Sequence, residues 1–223
     1  MVTKQWIRLT ASDGFDTDAY LIEPGANAQA AIILAQEAFG LNSHILALAE
    51  QFAAQGYLVL APALYDRIGR NLIYAYDDVS SAVTALTENG FDNPISDVMG
   101  AIDYLQARGI KKIGIIGYCY GGAVAWLAAA KVPALSCAVS YYGTGILNFP
   151  AVKPLCPTIA HWGQQDPTTP AERVAEVAEN NPEVTMYWYE ANHGFNSDRP
   201  QFDRAAAELA LQRTVKFFAE HLG

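Results

Sequence analysis

The feature that most constrains the fold is a change of texture across residues 111–123, Lys111-Lys112-Ile113-Gly114-Ile115-Ile116-Gly117-Tyr118-Cys119-Tyr120-Gly121-Gly122-Ala123. An apolar run rich in β-branched residues stops at Gly-x-Cys-x-Gly and passes straight into alanine-rich helical sequence. Buried strand, tight turn and helix in that order is how Gly-x-Ser-x-Gly sequences lift a nucleophile above a sheet, here with a thiol in place of the hydroxyl. The turn is strained and crowded, so Gly117 and Gly121 read as positions where a Cβ would strike the packed strand or helix beside it. Alone, the pentapeptide fits a blander reading equally well: a strand-to-helix turn holding a buried cysteine, since free cysteine is among the most buried residue types.

The rest of the chain supplies strands to either side. Gln5 to Ala11 and Thr17 to Glu23 alternate polar and apolar residues around Asp13-Gly14, which predicts an antiparallel hairpin at a sheet edge, ended by Pro24-Gly25-Ala26-Asn27. Ala30 to Ala35 is continuously apolar, as a parallel strand covered on both faces should be. Asn42-Ser43 caps a helix running to Gln55, and Tyr57 to Ala61 is the next buried strand, so a parallel crossover is expected. Pro62 to Pro94 is the least regular part, with a short helical stretch at Ser80 to Glu88, and reads as an excursion covering a ligand site at the carboxyl ends of the strands. Asp97 to Arg108 reads as a helix, followed by the elbow strand and a helix from Gly122 to Lys131. Ser136 to Tyr142, Pro157 to Trp162 and Val184 to Tyr189 are further strands, and Thr169-Pro170-Ala171-Glu172 reads as a capping box. A final amphipathic helix carries Leu211, Val215, Phe218 and Leu222 on one face. The expectation is one α/β domain over 1–223, with a mostly parallel sheet of about eight strands and helices on both faces.

Composition narrows the partners. A formal net charge of −9 argues against nucleic acid and anionic membrane surfaces, and no apolar run approaches the ~20 residues of a membrane span. Cys119, Cys137 and Cys156 are an odd number without framework spacing, which reads as a reduced, cytoplasmic protein, expected to be monomeric. Neither they nor the scattered histidines show a metal-ligand pattern, and no cofactor is expected.

Three polar residues follow three predicted parallel strands: Cys119, Asp166 and His193. The order nucleophile, acid, histidine is that of the α/β-hydrolase fold, and strand ends of one parallel sheet point the same way, so the three can meet. Histidine is the base whose ordinary pKa lies near neutrality, Asp166 would hold its tautomer, and cysteine would form a thioester that water cleaves. Singly, Asp166 before Pro167 could start a turn and His193 could be an idle loop residue; jointly, three placements in the right order point to catalysis. The oxyanion hole of this fold would use the backbone N–H groups of Tyr120 and Ala38. Glu37, next to Ala38, would project near the thiol and disfavour its thiolate. His161 reads as structural or as support for the site.

These residues resemble one family, the dienelactone hydrolases (carboxymethylenebutenolidases). The matching pieces are Ala35-Gln36-Glu37-Ala38-Phe39-Gly40, Pro62-Ala63-Leu64-Tyr65, Gly117-Tyr118-Cys119-Tyr120-Gly121-Gly122, Tyr141-Tyr142-Gly143, Gly163-Gln164-Gln165-Asp166 and His193-Gly194-Phe195. The resemblance implies an α/β-hydrolase that opens an enol-lactone, converting dienelactone to maleylacetate in chloroaromatic degradation. It also implies that Glu37 sits by a largely protonated resting cysteine and takes its proton when substrate binds. The family clamps the substrate carboxylate with arginines, for which this chain offers Arg67 and Arg70 in the excursion and Arg199 after His193, the last displaced from the family's position. Tyr74, Tyr76, Tyr141 and Trp162 are candidate pocket walls. An esterase for a non-carboxylate ester, a thiol redox sensor using Cys119 and a ligand-binding protein with lapsed catalysis are the alternatives.

Overall fold

The chain opens with β1 (Thr3–Thr10) and β2 (Asp16–Glu23), paired antiparallel from Thr3↔Glu23 to Thr10↔Asp16. The computed structural model describes residues 2–25 and 28–223, so Ala26 and Asn27 of the expected turn lie outside the described residues. Next come β3 (Ala30–Ala35), α1 (Ser43–Ala54), β4 (Leu58–Pro62), α2 (Val79–Asn89), α3 (Asp92–Ala107) and β5 (Lys112–Tyr118). They are followed by α4 (Tyr120–Lys131), β6 (Cys137–Tyr141), a 3-10 turn (Thr144–Asn148), β7 (Thr158–Gly163), α5 (Ala171–Asn180), β8 (Thr185–Tyr189) and α6 (Arg204–Leu222). The eight strands form one sheet in the order β1-β2-β4-β3-β5-β6-β7-β8. β2 joins β4 antiparallel, and β3 to β8 are parallel throughout. The fold is that of an α/β-hydrolase, as the strand pattern predicts.

Period-two alternation distributes the central strands between two cores. Ala31, Ile33, Ile113 and Ile115 face α3 and α4, while Ile32, Leu34, Ile116 and Tyr118 face α1 and α6. All six residues of β3 are buried, which explains their unbroken apolar character. α4 is buried from Tyr120 to Ala129, and its glycines let it sit hard on the sheet: a Cβ on Gly122 would stand 2.6 Å from the Tyr141 carbonyl oxygen.

Several boundaries differ from the expectation for identifiable reasons. α3 starts at Asp92, not Asp97, because Pro94 falls in its first turn, where a missing N–H is harmless. The capping box at Thr169 does not form. Pro170 occupies the cap position without a side-chain bond, and the Thr169 hydroxyl lies 3.5 Å from the Asp166 carbonyl oxygen. α6 buries Ala206, Ala210, Thr214, Phe218 and Leu222, an i, i+4 row that leaves Leu211 and Val215 half-buried. The excursion folds back over the exit of β3: the Tyr74 N–H donates to the Phe39 carbonyl at 3.1 Å. Among the described residues no helix is long and apolar enough to cross a membrane.

Candidate active site

β5 ends at Tyr118 and α4 begins at Tyr120, so Cys119 is the single residue of the turn. Its backbone sits at φ 54°, ψ −112°, a region non-glycine residues rarely occupy and one that clusters at functional sites. The neighbours allow it by being small. A Cβ on Gly117 would stand 1.8 Å from the Gly121 carbonyl oxygen, and one on Gly121 would stand 2.2 Å from that of Ala35. The Cys119 N–H is tied to the Tyr141 carbonyl at 2.9 Å.

The three strand-end residues meet. His193 Nε2 lies 3.2 Å from Cys119 Sγ, and His193 Nδ1 lies 2.7 Å from Asp166 Oδ2. Burial works to lower the His193 pKa, but the charge of Cys119 and the hydrogen bonds to Asp166 and Cys119 outweigh it and push the imidazole up to about 10. Burial likewise opposes ionisation of Asp166, yet its bonds to His193 and Thr168 hold it below the ordinary carboxylate value. Sequence reasoning missed Thr168. Its N–H and its hydroxyl donate to Asp166 Oδ1 at 2.8 and 2.6 Å, and the hydroxyl also lies 3.3 Å from His193 Nδ1. The signal was present in Asp166-Pro167-Thr168, where an aspartate can accept from the backbone two residues on.

The β3 exit lies against the elbow, since the Gly121 N–H donates to the Gln36 carbonyl at 3.0 Å. The Ala38 carbonyl accepts from the Tyr65 hydroxyl at 2.9 Å, and the Tyr65 ring stacks on that of Tyr120 at 5.9 Å. The N–H groups of Ala38 and Tyr120 have no hydrogen-bond partner among the described residues, the condition expected of donors kept for an oxyanion.

Glu37 is fully buried and is held by two partners other than the thiol. Tyr142 donates to Oε1 at 3.1 Å, and Arg199 Nη2 approaches the two oxygens at 3.3 and 3.4 Å. Tyr142, whose φ is +37°, touches the ring of His193 edge-on at 5.0 Å between centroids. Burial, and then the acids Glu37, Tyr118 and Cys119 beside it, push its phenol well above the ordinary value, so it stays a donor. Arg199 also lies over the rings of Phe39 and Tyr76, and the Tyr76 hydroxyl bonds Asp198 and Asn42. Arg199 and Tyr76 therefore belong to the rim around Glu37.

Other expected substrate contacts are engaged elsewhere. Arg67 is shared by Asp13 at 2.7 Å and Asp97 at 2.9 Å, and Arg70 pairs with Asp66 at 2.6 Å, so both brace the excursion against the β1–β2 hairpin and α3. The Tyr141 side chain points into the α6 side of the sheet, its hydroxyl 2.7 Å from that of Thr214; it meets Cys119 only through its carbonyl. Trp162 is buried with its indole N–H on Met186, and Tyr74 packs on Tyr65. His161, in the same network as Tyr141, bonds Tyr189 at 2.7 Å and Thr214 at 3.2 Å. Among the described residues no group of three His, Cys, Asp or Glu side chains is arranged to hold a metal ion.

Comparison with known proteins adds an independent line. The sequence pattern of the dienelactone hydrolase family matches residues 17–222. A carboxymethylenebutenolidase of Pseudomonas putida is 32% identical over 227 residues, covering 96% of this chain and 95% of that protein. Carboxymethylenebutenolidase 1 of Cupriavidus pinatubonensis is 29% identical, covering 96% and 95%. Among solved structures, a dienelactone hydrolase candidate from Klebsiella pneumoniae superposes with a TM-score of 0.87 at 24% identity, covering 98% of this chain and 99% of that one.

Proposed function

The chain belongs to the dienelactone hydrolase family, whose members hydrolyse esters and lactones, and on that premise we propose that Cys119 is its nucleophile and a thioester its intermediate. The observation that carries this reading is the continuous relay from Cys119 Sγ through His193 to Asp166, at 3.2 and 2.7 Å. His193 Nε2 takes the thiol proton as sulfur attacks the carbonyl carbon. The oxyanion so formed accepts from the N–H groups of Tyr120 and Ala38. When the tetrahedral centre collapses, the carbon–oxygen bond to the leaving group breaks and His193 returns the proton to that oxygen; in a lactone this opens the ring. Water, deprotonated by His193, then attacks the thioester and releases a carboxylic acid and the free thiol. Asp166, fixed by Thr168, keeps Nδ1 protonated and favours the imidazolium of each transition state.

Glu37 has the role of a guard. A carboxylate beside a thiol disfavours thiolate, and Arg199 holds Glu37 in place. A bound substrate that draws Arg199 away from Glu37 alters the charge near the thiol, while His193 remains the acceptor of its proton. Dienelactone and aryl esters are the first substrates to test, with wild type, Cys119→Ala and His193→Ala assayed side by side. Both variants should lose at least about a thousandfold in kcat/KM. Equal inertness of all three on a broad ester panel contradicts the reading.

A further inference from the structure

Cys119 opens onto a cavity of about 640 Å³ walled by Leu86, Phe91, Tyr120, Ala123 and Leu147, with Arg173 on its edge. At about 30 Å³ per water that is room for roughly twenty waters, a volume typical of ligands much larger than a six-carbon lactone. The wall is mostly apolar, with Thr87, Thr144, Asn148 and Thr168 as polar members, and its aromatic part is fixed. Phe91 lies on the Tyr120 ring at 5.6 Å and meets Phe149 edge-on at 5.8 Å. A Cβ on Gly145 would stand 2.8 Å from Phe91 and 2.9 Å from the Ala123 methyl, so the 3-10 turn packs tightly against both residues. Arg67, Arg70 and Arg199 do not line this space. Arg173 is the one cationic side chain that does among the described residues. It is half exposed, and its guanidinium already donates to the Leu147 carbonyl at 2.5 Å and faces Glu176 at 3.5 Å. A substrate arm lying here therefore meets mostly hydrocarbon, with a few neutral polar groups, and a neutralised, solvated cation at the end.

We propose that this cavity seats an apolar arm, a phenyl ring or an alkyl chain of about six carbons, borne by the ester or lactone whose carbonyl Cys119 attacks. The substrate is then a hydrophobic ester, not a small lactone held wholly by its charge. This assignment rests on the nucleophile reading above, and its test separates the two.

Two ester series measure it: p-nitrophenyl esters from acetate to octanoate, which lengthen the acyl arm, and alkyl acetates from methyl to hexyl, which lengthen the alcohol arm. In the series whose arm enters the cavity, kcat/KM should climb about threefold to fourfold per methylene up to six carbons, at ~0.8 kcal/mol per buried methylene. Leu86→Trp, or Thr87→Trp at the exposed rim should the first not fold, should cut the six-carbon to two-carbon ratio at least about tenfold. Flat dependence in both series, with acetate turnover still abolished by Cys119→Ala, overturns the cavity assignment and leaves the nucleophile reading standing. So does a preference for small carboxylate-bearing lactones over every apolar ester. If no ester is turned over, the nucleophile reading fails, and alkylation by maleimides, read by mass spectrometry, decides the cavity alone. N-hexylmaleimide should modify Cys119 roughly a hundredfold faster than N-ethylmaleimide, after normalising to Cys156 in the same protein, and Leu86→Trp should remove the difference. Equal rates at Cys119 overturn the assignment.

Discussion

Arg199→Gln is the single change that presses hardest on the electrostatics of the site. Glu37 is wholly buried, and Arg199, itself only 13% exposed at the side chain, is its one cationic partner among the described residues. Removing one member of a buried ion pair costs about 3–5 kcal/mol, because the other charge is left without compensation. Two features place this pair below that range. Its contacts of 3.3 and 3.4 Å are longer than the ~2.7–2.9 Å of strong charge-assisted bonds, and Tyr142 continues to donate to Glu37 at 3.1 Å. A loss of about 2–3 kcal/mol follows, which for a chain of this size lowers Tm by roughly 4–12 °C. Thermal unfolding followed by circular dichroism at pH 7 reads it, with Glu37→Gln and the double variant completing a cycle. Because glutamine at position 37 carries no charge to strand, the double variant should be more stable than Arg199→Gln alone by about 1–2 kcal/mol. A Tm for Arg199→Gln within about 1 °C of wild type, or a double variant as unstable as the two singles summed, refutes the reasoning.

The remaining predictions concern the elbow, the relay and pH. Gly121→Ala should give insoluble or unfolded protein by expression and near-ultraviolet circular dichroism, since its methyl would stand 2.2 Å from the Ala35 carbonyl oxygen. Thr168→Val removes the 2.6 Å hydroxyl bond to Asp166 but keeps the N–H bond; kcat on an aryl ester should fall by about threefold to thirtyfold, with KM little changed and rescue in Thr168→Ser. Burial holds His161 neutral down to about pH 3, whereas the unfolded chain protonates it near 6.5. The unfolded state therefore binds more protons, and stability should decline between about pH 6.5 and 3 by up to ~1.4 kcal/mol per unit; urea titrations of His161→Gln should show a shallower slope. His193 has the opposite sign. Raised to about 10, it contributes fully below about pH 6.5, and that contribution is lost as pH rises through about 10, so His193→Gln should flatten the alkaline limb.

The frame of the candidate site was legible because its signals are local. Unbroken β-branched runs mark parallel strands, and whatever polar residue follows each run is delivered to the same end of the sheet, which brought Cys119, Asp166 and His193 together from positions far apart in the chain. The flanking glycines announced the crowding at the elbow. What the sequence concealed depends on distant pairing. Arg67 and Arg70 looked available for a substrate, yet Arg67 reaches Asp13 across 54 residues and Asp97 across 30, and no local pattern reveals such partners. Tyr141 stands at a strand end, but one position along a strand decides which face a side chain joins, and it joins the α6 side. Arg199 looked misplaced for the site when counted from His193. A tight turn, with the Ser197 N–H donating to the Gly194 carbonyl at 2.8 Å, brings it back onto Glu37.

The central claim is that Cys119 carries the acyl group, and intact-protein mass spectrometry of a quenched reaction tests it most directly. With a slowly hydrolysed aryl ester, the protein should gain the mass of one acyl group, located by digestion on the peptide bearing Cys119. That adduct should be cleaved by hydroxylamine and be absent from Cys119→Ala. Ester turnover that persists in Cys119→Ala, or an acyl group found on another residue, would contradict the account.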